Sequence, residues 1–424
     1  MRPGLERTRV LLDLMANPQD TYPIIHITGS NGKTSTSRIA ASAISAHGLA
    51  VGSFTSPHLE RVEERLGVNG HHATAREFAE AVADVAPFAD LLEQRTGERP
   101  TYFELTAVMA FAWFAERTVD VGVVEVGLGG RLDSTNVADG EVAVLTGVSK
   151  EHVRVLGSTL REIAVEKLAI AKPDSVLVTG PLPPEAEKEA ERRVAELGIH
   201  RWKYGEDYRL RDAALALGGW MVDIDGIYET YEDVFLPLHG RYQTRNLAVA
   251  VAAVETLFGR ALDPEALREG VAAATSPGRL EVIGRRPLTI VDGSHNEEGF
   301  GVLAASLDEE FPLLEWTVIL GALGDKDLEG MIGHLRGKVR RLIATAPVSD
   351  RAISADKVAD VARAALGPDV EVRQVAGVGA AVREGIATTG EDGAVIATGS
   401  LYVAGEARPV MSSLAKQSTG AAKL

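Results

Sequence analysis

The chain has 424 residues, too many for one ordinary domain and suited to two or three. At 45% hydrophobic and 25% charged it has a globular composition, with apolar residues enough for sizeable cores. A formal charge of −16 argues against a nucleic-acid or anionic-membrane surface, and the absence of cysteine excludes disulfides, Cys–Zn sites and thiol catalysis together.

The N-terminal stretch MRPGLERTRVLLDLMANPQD scatters charges through its short apolar part and does not read as a signal peptide. The best apolar run, 105–115, is about eleven residues between Glu104 and Glu116, short of the roughly 20 that cross a bilayer. A soluble, cytoplasmic protein is expected. In chain order, 22–28 (YPIIHIT) reads as a buried strand and 33–47 as the helix after it, and VGSFTS as a second strand. Helix 103–117 is followed by strands 119–127 and 141–149, helix 159–171 and strand 175–180, an alternation that indicates a parallel α/β sheet. Residues 205–237 alternate in short Tyr-, Asp- and Gly-rich runs and predict an appended small antiparallel sheet.

A second alternating series follows. Strand 288–292, helix 297–311, strand 316–320 and helix 328–335 lead to strand 341–346, helix 355–366, strand 370–375, helix 377–388 and strand 394–398. The fold class is therefore α/β: a parallel-sheet domain with its small antiparallel sheet, of the P-loop ATPase type that the glycine-rich loop described next implies, then a smaller Rossmann-like α/β domain. Turn residues Ser276-Pro277-Gly278 and the charged stretch 284–287 bracket the break, giving domains 1–283 and 284–424. There is no internal repeat, and the tail after Leu414 reads as frayed.

The strongest local signal is Gly29-Ser30-Asn31-Gly32-Lys33-Thr34-Ser35 between a strand and a helix. Glycines let backbone amides face phosphate oxygens, and the helix N-terminus adds positive potential. Lys33 can bridge terminal phosphates and the Thr34 hydroxyl can ligate Mg²⁺. The first glycine of the usual G-x-x-x-x-G-K-[ST] pattern would fall at Ile27, so the match is partial. Thr55-Ser56-Pro57-His58 follows the second strand, and Pro57 holds Ser56 extended, so its hydroxyl could face the phosphates.

Glu125 lies inside an apolar strand and must be paired or coordinated, because burying a lone carboxylate is costly. The run Gly127-Leu128-Gly129-Gly130-Arg131-Leu132-Asp133-Ser134-Thr135-Asn136 then occupies a strand's C-terminal end, where open α/β sheets hold ligands. His152, past another strand, is a candidate ligand or acid–base group, although a lone histidine is more often structural. Lys167 shares one helix face with Leu160, Ile163 and Ile170, so it either snorkels to the surface or is held near the site. Asn246 opens an alanine-rich helix, Arg279 lies beside the domain junction, and Asp292 to Asn296 and Gly321 to Asp327 end two successive strands, which makes a cleft plausible.

These segments resemble the folylpolyglutamate synthase/dihydrofolate synthase family, a branch of the Mur ligase superfamily. GLER, NPQ, GSNGKTS, FTSPHLERVEERLGVNG, YFELTA, VEVGLGGRLDSTN, EKLAI, SPGRLE, DGSHN and GALGDKD run in family order from residue 4 to about 327, and Gly399 to Tyr402 supplies GS-x-Y near the end. The resemblance implies that Asn31, Gly32, Lys33 and Thr34 bind ATP, with Asn246, Arg279 and Asp292 completing the site across the domain interface. It implies two Mg²⁺ ions held by Thr34, Ser56, Glu125, His152 and a carbamylated Lys167, whose CO₂ adduct needs a neutral amine that partial burial favours.

Thr101, Tyr102, Phe103, Glu104, Leu132, Asp133 and Ser134 would contact the pterin-bearing substrate. The implied catalytic residues are Lys33, Lys167, His152 and His295, with His295 and the Asp325-Lys326-Asp327 loop positioning L-glutamate. The implied reaction is ligation of glutamate to a folate or dihydropteroate carboxylate through an acyl phosphate, by a monomer with no nucleic-acid or membrane partner. Departures are Thr34-Ser35 where many members have Gly-Ser, EKLAI for EKAGI, and Glu151 where Asp is usual. Members usually have a further segment ahead of GLER that helps bifunctional enzymes bind dihydropteroate. A chain starting here leaves open a misassigned start, a trimmed chain or an enzyme limited to extending folates. A Mur ligase with another acceptor and a P-loop regulatory protein are the competing readings; no Asn-Lys-x-Asp guanine-reading string is present.

Overall fold

The computed structural model describes residues 4–312, 314–324 and 326–421. The chain divides into two compact units. The first runs to Pro237 and resumes over Gln243–Thr275; the second comprises Leu238–Tyr242 and the chain from Ser276.

The first unit is built on strands β1 (Ile24–Thr28), β2 (Val51–Phe54), β3 (Leu66–Val68), β4 (His71–His72), β5 (Val121–Glu125), β6 (Val142–Leu145), β7 (Val176–Thr179) and β8 (Arg201–Lys203). They form one sheet in the order β4-β3-β2-β5-β1-β6-β7-β8. From β2 to β8 all pairings are parallel, and β3 and β4 add an antiparallel edge. β1 (IIHIT) and β5 (VGVVE) are buried along their whole length, as central strands of a parallel sheet covered on both faces are, so that His26, Thr28 and Glu125 are buried with them. The order 2-5-1-6 brings the loops that leave β2, β5, β1 and β6 to the same C-terminal edge, which is what positions the site. The antiparallel strands β9 (Arg209–Ala216), β10 (Gly219–Asp225) and β11 (Thr230–Leu236) form a separate three-stranded sheet, as expected.

The second unit carries β12 (Glu281–Arg285), β13 (Leu288–Val291), β14 (Trp316–Leu320), β15 (Val339–Ala344), β16 (Glu371–Gln374) and β17 (Ala394–Thr398) in the order β12-β13-β17-β14-β15-β16. Only β12 is antiparallel. Its core packs Phe300, Leu303 and Leu307 of helix Glu297–Glu310 with Trp316, Val318 and Ile396 of the sheet.

The structure moves the domain boundary expected at 283/284. That point falls inside β12, which pairs with β13, so the second sheet already begins at Glu281. Leu238–Tyr242 joins the same unit because His239 contacts Glu310 at 2.6 Å and Arg241 pairs with Glu309 at 2.7 Å. The tail is not frayed after Leu414: helix Leu401–Ala421 continues through it. Other helices escape the sequence pattern, among them Glu6–Leu14, Ala75–Thr96 with Pro87 inside it, the highly charged Pro184–Leu197 and Pro264–Ala272. Among the described residues no helix is long and apolar enough to cross a membrane.

Gly52 and Gly122 are register partners on β2 and β5, and together they form a flat seat for aromatic rings. A Cβ on Gly52 would lie 2.6 Å from the Phe114 ring, and one on Gly122 2.9 Å from Tyr22. Those two rings meet edge to face at 6.2 Å, and Phe114 belongs to helix Tyr102–Glu116. Gly52→Ala should therefore cost about 1–3 kcal/mol by overpacking, read as a lower denaturation midpoint in urea; an unchanged midpoint would show that the helix shifts freely.

Candidate active site

The loop after β1 is shaped by its glycines. Gly29 and Gly32 have φ of 152° and 86°, values that side chains resist. A Cβ on Gly29 would overlap the Thr146 hydroxyl, and one on Gly32 the Asn246 amide oxygen, so Asn246 lies directly against this loop. Thr146 Oγ1 donates to the Asn31 carbonyl at 2.6 Å, and Ser149 N donates to Ser30 Oγ at 2.9 Å, which anchors the loop to the segment leaving β6. Gly32 begins helix Lys33–Ala46 with no side-chain cap. The first amides of that helix therefore point out of the loop toward an anion, as a phosphate site requires. Lys33 folds back so that Nζ donates to the Gly29 carbonyl at 2.7 Å.

Glu125 ends β5 and is 1% exposed. Its Oε1 accepts the Thr34 hydroxyl at 2.7 Å and its Oε2 accepts the Ser56 amide at 3.2 Å. The Ser56 hydroxyl beside it is buried without a hydrogen-bond partner among the described residues. A carboxylate, a threonine hydroxyl and an orphaned serine hydroxyl are hard oxygen donors that fit Mg²⁺. No three His, Cys, Asp or Glu side chains gather as a metal cluster among the described residues, so protein donors here are mainly hydroxyls around one carboxylate. His152 is exposed, with φ of 44°, at the start of helix Val153–Leu156.

Lys167 is 1% exposed, and its Nζ sits 2.7 Å from Glu151 Oε1. Burial, reinforced by the positive charge of Lys33, pulls the ammonium down to about 8, although Glu151 and Asp133 work against the shift. Burial pushes Glu151 up, yet Lys33 and Lys167 together with hydrogen bonds from Lys167 and Ser30 hold it below the ordinary carboxylate range. Glu151 is thus a site residue that sequence reasoning noted only as a departure. The Gly-rich loop after β5 seats on the same helix: Arg131 N donates to the Glu166 carbonyl at 2.9 Å, and a Cβ on Gly130 would lie 2.7 Å from that oxygen.

The residues expected to touch a pterin divide in two. Glu104 and Asp133 are buried, with oxygens engaged by the chain itself. Glu104 accepts the Thr101 amide at 2.6 Å in a capping box and Arg7 Nη2 at 2.8 Å. Asp133 accepts Leu128 N at 2.9 Å and both the amide and hydroxyl of Thr135, at 3.0 and 2.6 Å; burial nonetheless raises its pKa. Phe103 packs against Phe54 at 6.0 Å, beneath Gly127, where a Cβ would lie 2.5 Å from its ring, and Ser134 is buried. Tyr102 and Leu132 expose their side chains, and the Arg65 guanidinium lies 5.2 Å from the Tyr102 ring centre.

In the second unit, loops leaving β13, β14 and β17 meet. Gly399 N donates to the Ser294 carbonyl at 3.2 Å and Gly321 N to the Thr398 carbonyl at 3.3 Å. Asp292 is a brace: its oxygens accept the amides of Leu280 and Ser294, each at 2.9 Å. The Arg279 guanidinium lies 3.3 Å from where a Cβ of Gly293 would stand, and His295 Nδ1 donates to the Gly293 carbonyl at 2.9 Å. Asp327 caps helix Leu328–Gly333, Lys326 is half-buried, and Asp325 lies outside the described residues. Tyr402, half exposed beside this edge, was visible in the sequence only as part of GS-x-Y.

The family described as Mur ligase middle domain matches residues 27–254, and that described as Mur ligase, glutamate ligase domain matches 278–401. Fold and nucleotide loop thus define an ATP-dependent ligase of the Mur type. Dihydrofolate synthase/folylpolyglutamate synthase of Mycobacterium tuberculosis is 37% identical over 386 residues, spanning 87% of this chain and 79% of its own. Folylpolyglutamate synthase of Lacticaseibacillus casei is 36% identical over 342 residues, 78% of each chain. The crystal structure of M. tuberculosis folylpolyglutamate synthase complexed with ADP and AMPPCP matches with TM-score 0.91 at 35% identity, over 97% of this chain and 96% of that one. The chain belongs to the folylpolyglutamate synthase/dihydrofolate synthase family.

The low pKa of Lys167 has a measurable consequence. Between about pH 8 and the ordinary lysine value the unfolded chain holds a proton that the folded chain lacks, so folding stability rises with pH there. In bicarbonate-free buffer, the unfolding free energy of the wild type minus that of Lys167→Met should climb from pH 8 to pH 10. A flat difference would mean that Lys167 titrates like an exposed lysine.

Proposed function

We propose that this ligase joins the α-amine of L-glutamate to the carboxylate of a folate, or of dihydropteroate, at the expense of ATP. The observation that carries the site assignment is the buried Glu125 carboxylate with Thr34 and the orphaned Ser56 hydroxyl, beside an uncapped helix N-terminus. Relatives support the substrates: ADP and AMPPCP are bound by M. tuberculosis folylpolyglutamate synthase, and DHPP with ADP by E. coli FolC, which matches at TM-score 0.84 and 26% identity over 98% of this chain.

A carboxylate is a poor electrophile and needs activation. The acceptor carboxylate oxygen attacks the γ-phosphorus of ATP, the bond to the β-phosphate oxygen breaks, and ADP leaves. The glutamate amine then attacks the acyl carbon; phosphate departs and the amine loses a proton, leaving the amide. Asn31, Gly32, Lys33, Thr34 and Asn246 bind the nucleotide, and Lys33 neutralises charge on the transferring phosphoryl group. Arg279 and Asp292 are the nucleotide contacts assigned to the second unit, Asp292 acting through the backbone it braces.

Thr34, Ser56, Glu125, His152 and Lys167 would hold two Mg²⁺ ions, which supply charge neutralisation on the phosphates when bound. Carbamylation would convert Lys167 from a cation into an anionic ligand, and the depressed pKa makes the neutral amine accessible near pH 8. His152, exposed in this structure, would have to turn inward to join that set. Thr101, Tyr102, Phe103, Leu132 and Ser134 contact the pterin-bearing acceptor, with Glu104 and Asp133 holding their loops. His295, Lys326 and Asp327 position glutamate. The enzyme is read as a cytoplasmic monomer.

The test is ADP release in the presence of Mg²⁺, with dihydropteroate and tetrahydrofolate compared as acceptors. Release should require glutamate and at least one acceptor together, and Lys167→Ala should abolish ligation while nucleotide binding persists. Stimulation by neither acceptor would refute the proposal, and a fully active Lys167→Ala would refute the carbamate.

A further inference from the structure

His26 is a histidine that the reaction does not use, fully buried in the central strand β1. Its Nε2 lies 2.9 Å from Thr135 Oγ1, and Thr135 Oγ1 lies 2.6 Å from Asp133 Oδ1. Its Nδ1 is buried without a partner among the described residues. Proton counting fixes the direction of this chain. Asp133 also accepts the amides of Leu128 and Thr135, so it behaves as an acceptor throughout. The single Thr135 hydroxyl proton then goes to Asp133, and His26 Nε2–H must donate to Thr135 Oγ. The reverse direction would place a proton on Nδ1 and bury an unpaired N–H donor, the costlier defect. Burial, assisted by Lys172, pulls the imidazole down to about 3, in keeping with a ring that stays neutral.

Thr28, two residues along β1 and therefore on the same face, donates its hydroxyl to the Gly129 carbonyl at 2.7 Å. Both ends of the loop after β5 are thus held by side chains of the strand that carries the nucleotide loop. Lys172 closes the far end, its Nζ donating to the carbonyls of Asn136 and Ala138 at 2.8 and 2.7 Å.

We propose that His26 and Thr135 are positioning residues for the acceptor: the one-way relay His26 Nε2–H to Thr135 Oγ–H to Asp133 fixes residues 127–136 in the shape that presents Leu132 and Ser134. The inference rests on the reading above that this loop contacts the acceptor. It separates the acceptor from the nucleotide, because the ATP loop is anchored independently through Thr146 and Ser149.

Thr135→Val keeps the shape and removes the relay; Thr135→Ser keeps the hydroxyl; His26→Leu removes only the first donor and serves if the valine variant does not fold. For the valine variant we expect an acceptor KM about tenfold higher, with the KM for ATP within about twofold of wild type. Hydrogen exchange at the Leu128 and Thr135 amides should quicken, and the serine variant should restore both readouts. His26→Leu should act in the same direction, and the His26→Leu/Thr135→Val double variant should be no worse than its poorer parent, since both break one chain. An unchanged acceptor KM and unchanged loop exchange in the valine and leucine variants would overturn the relay, as would a KM for ATP that rises in step. A wild type that turns over neither folate nor dihydropteroate would overturn the acceptor reading instead, and the exchange measurement would still decide the relay.

Discussion

The Glu125 carboxylate, sealed at the end of β5, is the constraint on which the first unit is organised. An ion of this kind loses several kcal/mol of effective hydration on burial, and hydrogen bonds such as those it accepts from the Thr34 hydroxyl and the Ser56 amide each return about 1.5–3 kcal/mol because the acceptor is charged. Both donors follow strands that flank β5, Thr34 in the helix after β1 and Ser56 in the loop after β2, so the 2-5-1 strand order is what brings them to Glu125. The Ser56 hydroxyl beside it is buried without a partner among the described residues, and a bound cation is the natural completion of such a set.

A second balance of charge lies one loop away. Lys33 and Lys167 repel one another and share Glu151: burial and Lys33 pull Lys167 down against the opposing pull of Glu151, while the two lysines hold Glu151 low against its own burial. The chain carries a net charge of −16, yet at its nucleotide edge Lys33 stands at the uncapped N-terminus of the helix after β1. Local arrangement, not net charge, decides what such an edge attracts. A fixed lysine and amides aimed where phosphate charge develops are the kind of preorganisation that speeds phosphoryl transfer.

Most of the parallel strands were legible in the sequence because both of their faces are buried and they read as continuous apolar runs. β12 was not: it is short, half-buried and ends in charges, so the boundary was set three residues inside it. Helix Ala75–Thr96 was hidden by its interior Pro87, although Thr74 and Glu77 form a capping box like that of Thr159 and Glu162 at the start of the Lys167 helix. Within the site, GSNGKTS and Glu125 could be found by type and context, and Lys167 by the helical stripe. What a carboxylate's oxygens bind is set by contacts distant in sequence. Glu104 therefore looked like a substrate contact while Arg7 was filling it, and Glu151 looked like a minor departure while it was neutralising Lys167.

If Glu125 is buried for a cation rather than for the fold, removing its charge should separate stability from function. The direct measurement is the melting temperature of wild type and Glu125→Gln, each with and without Mg²⁺ and ADP. The account predicts a glutamine variant at least as stable as wild type in the free state that loses the Mg²⁺-dependent part of the nucleotide-induced rise. A variant that is less stable when free and keeps the full Mg²⁺-dependent rise would contradict it.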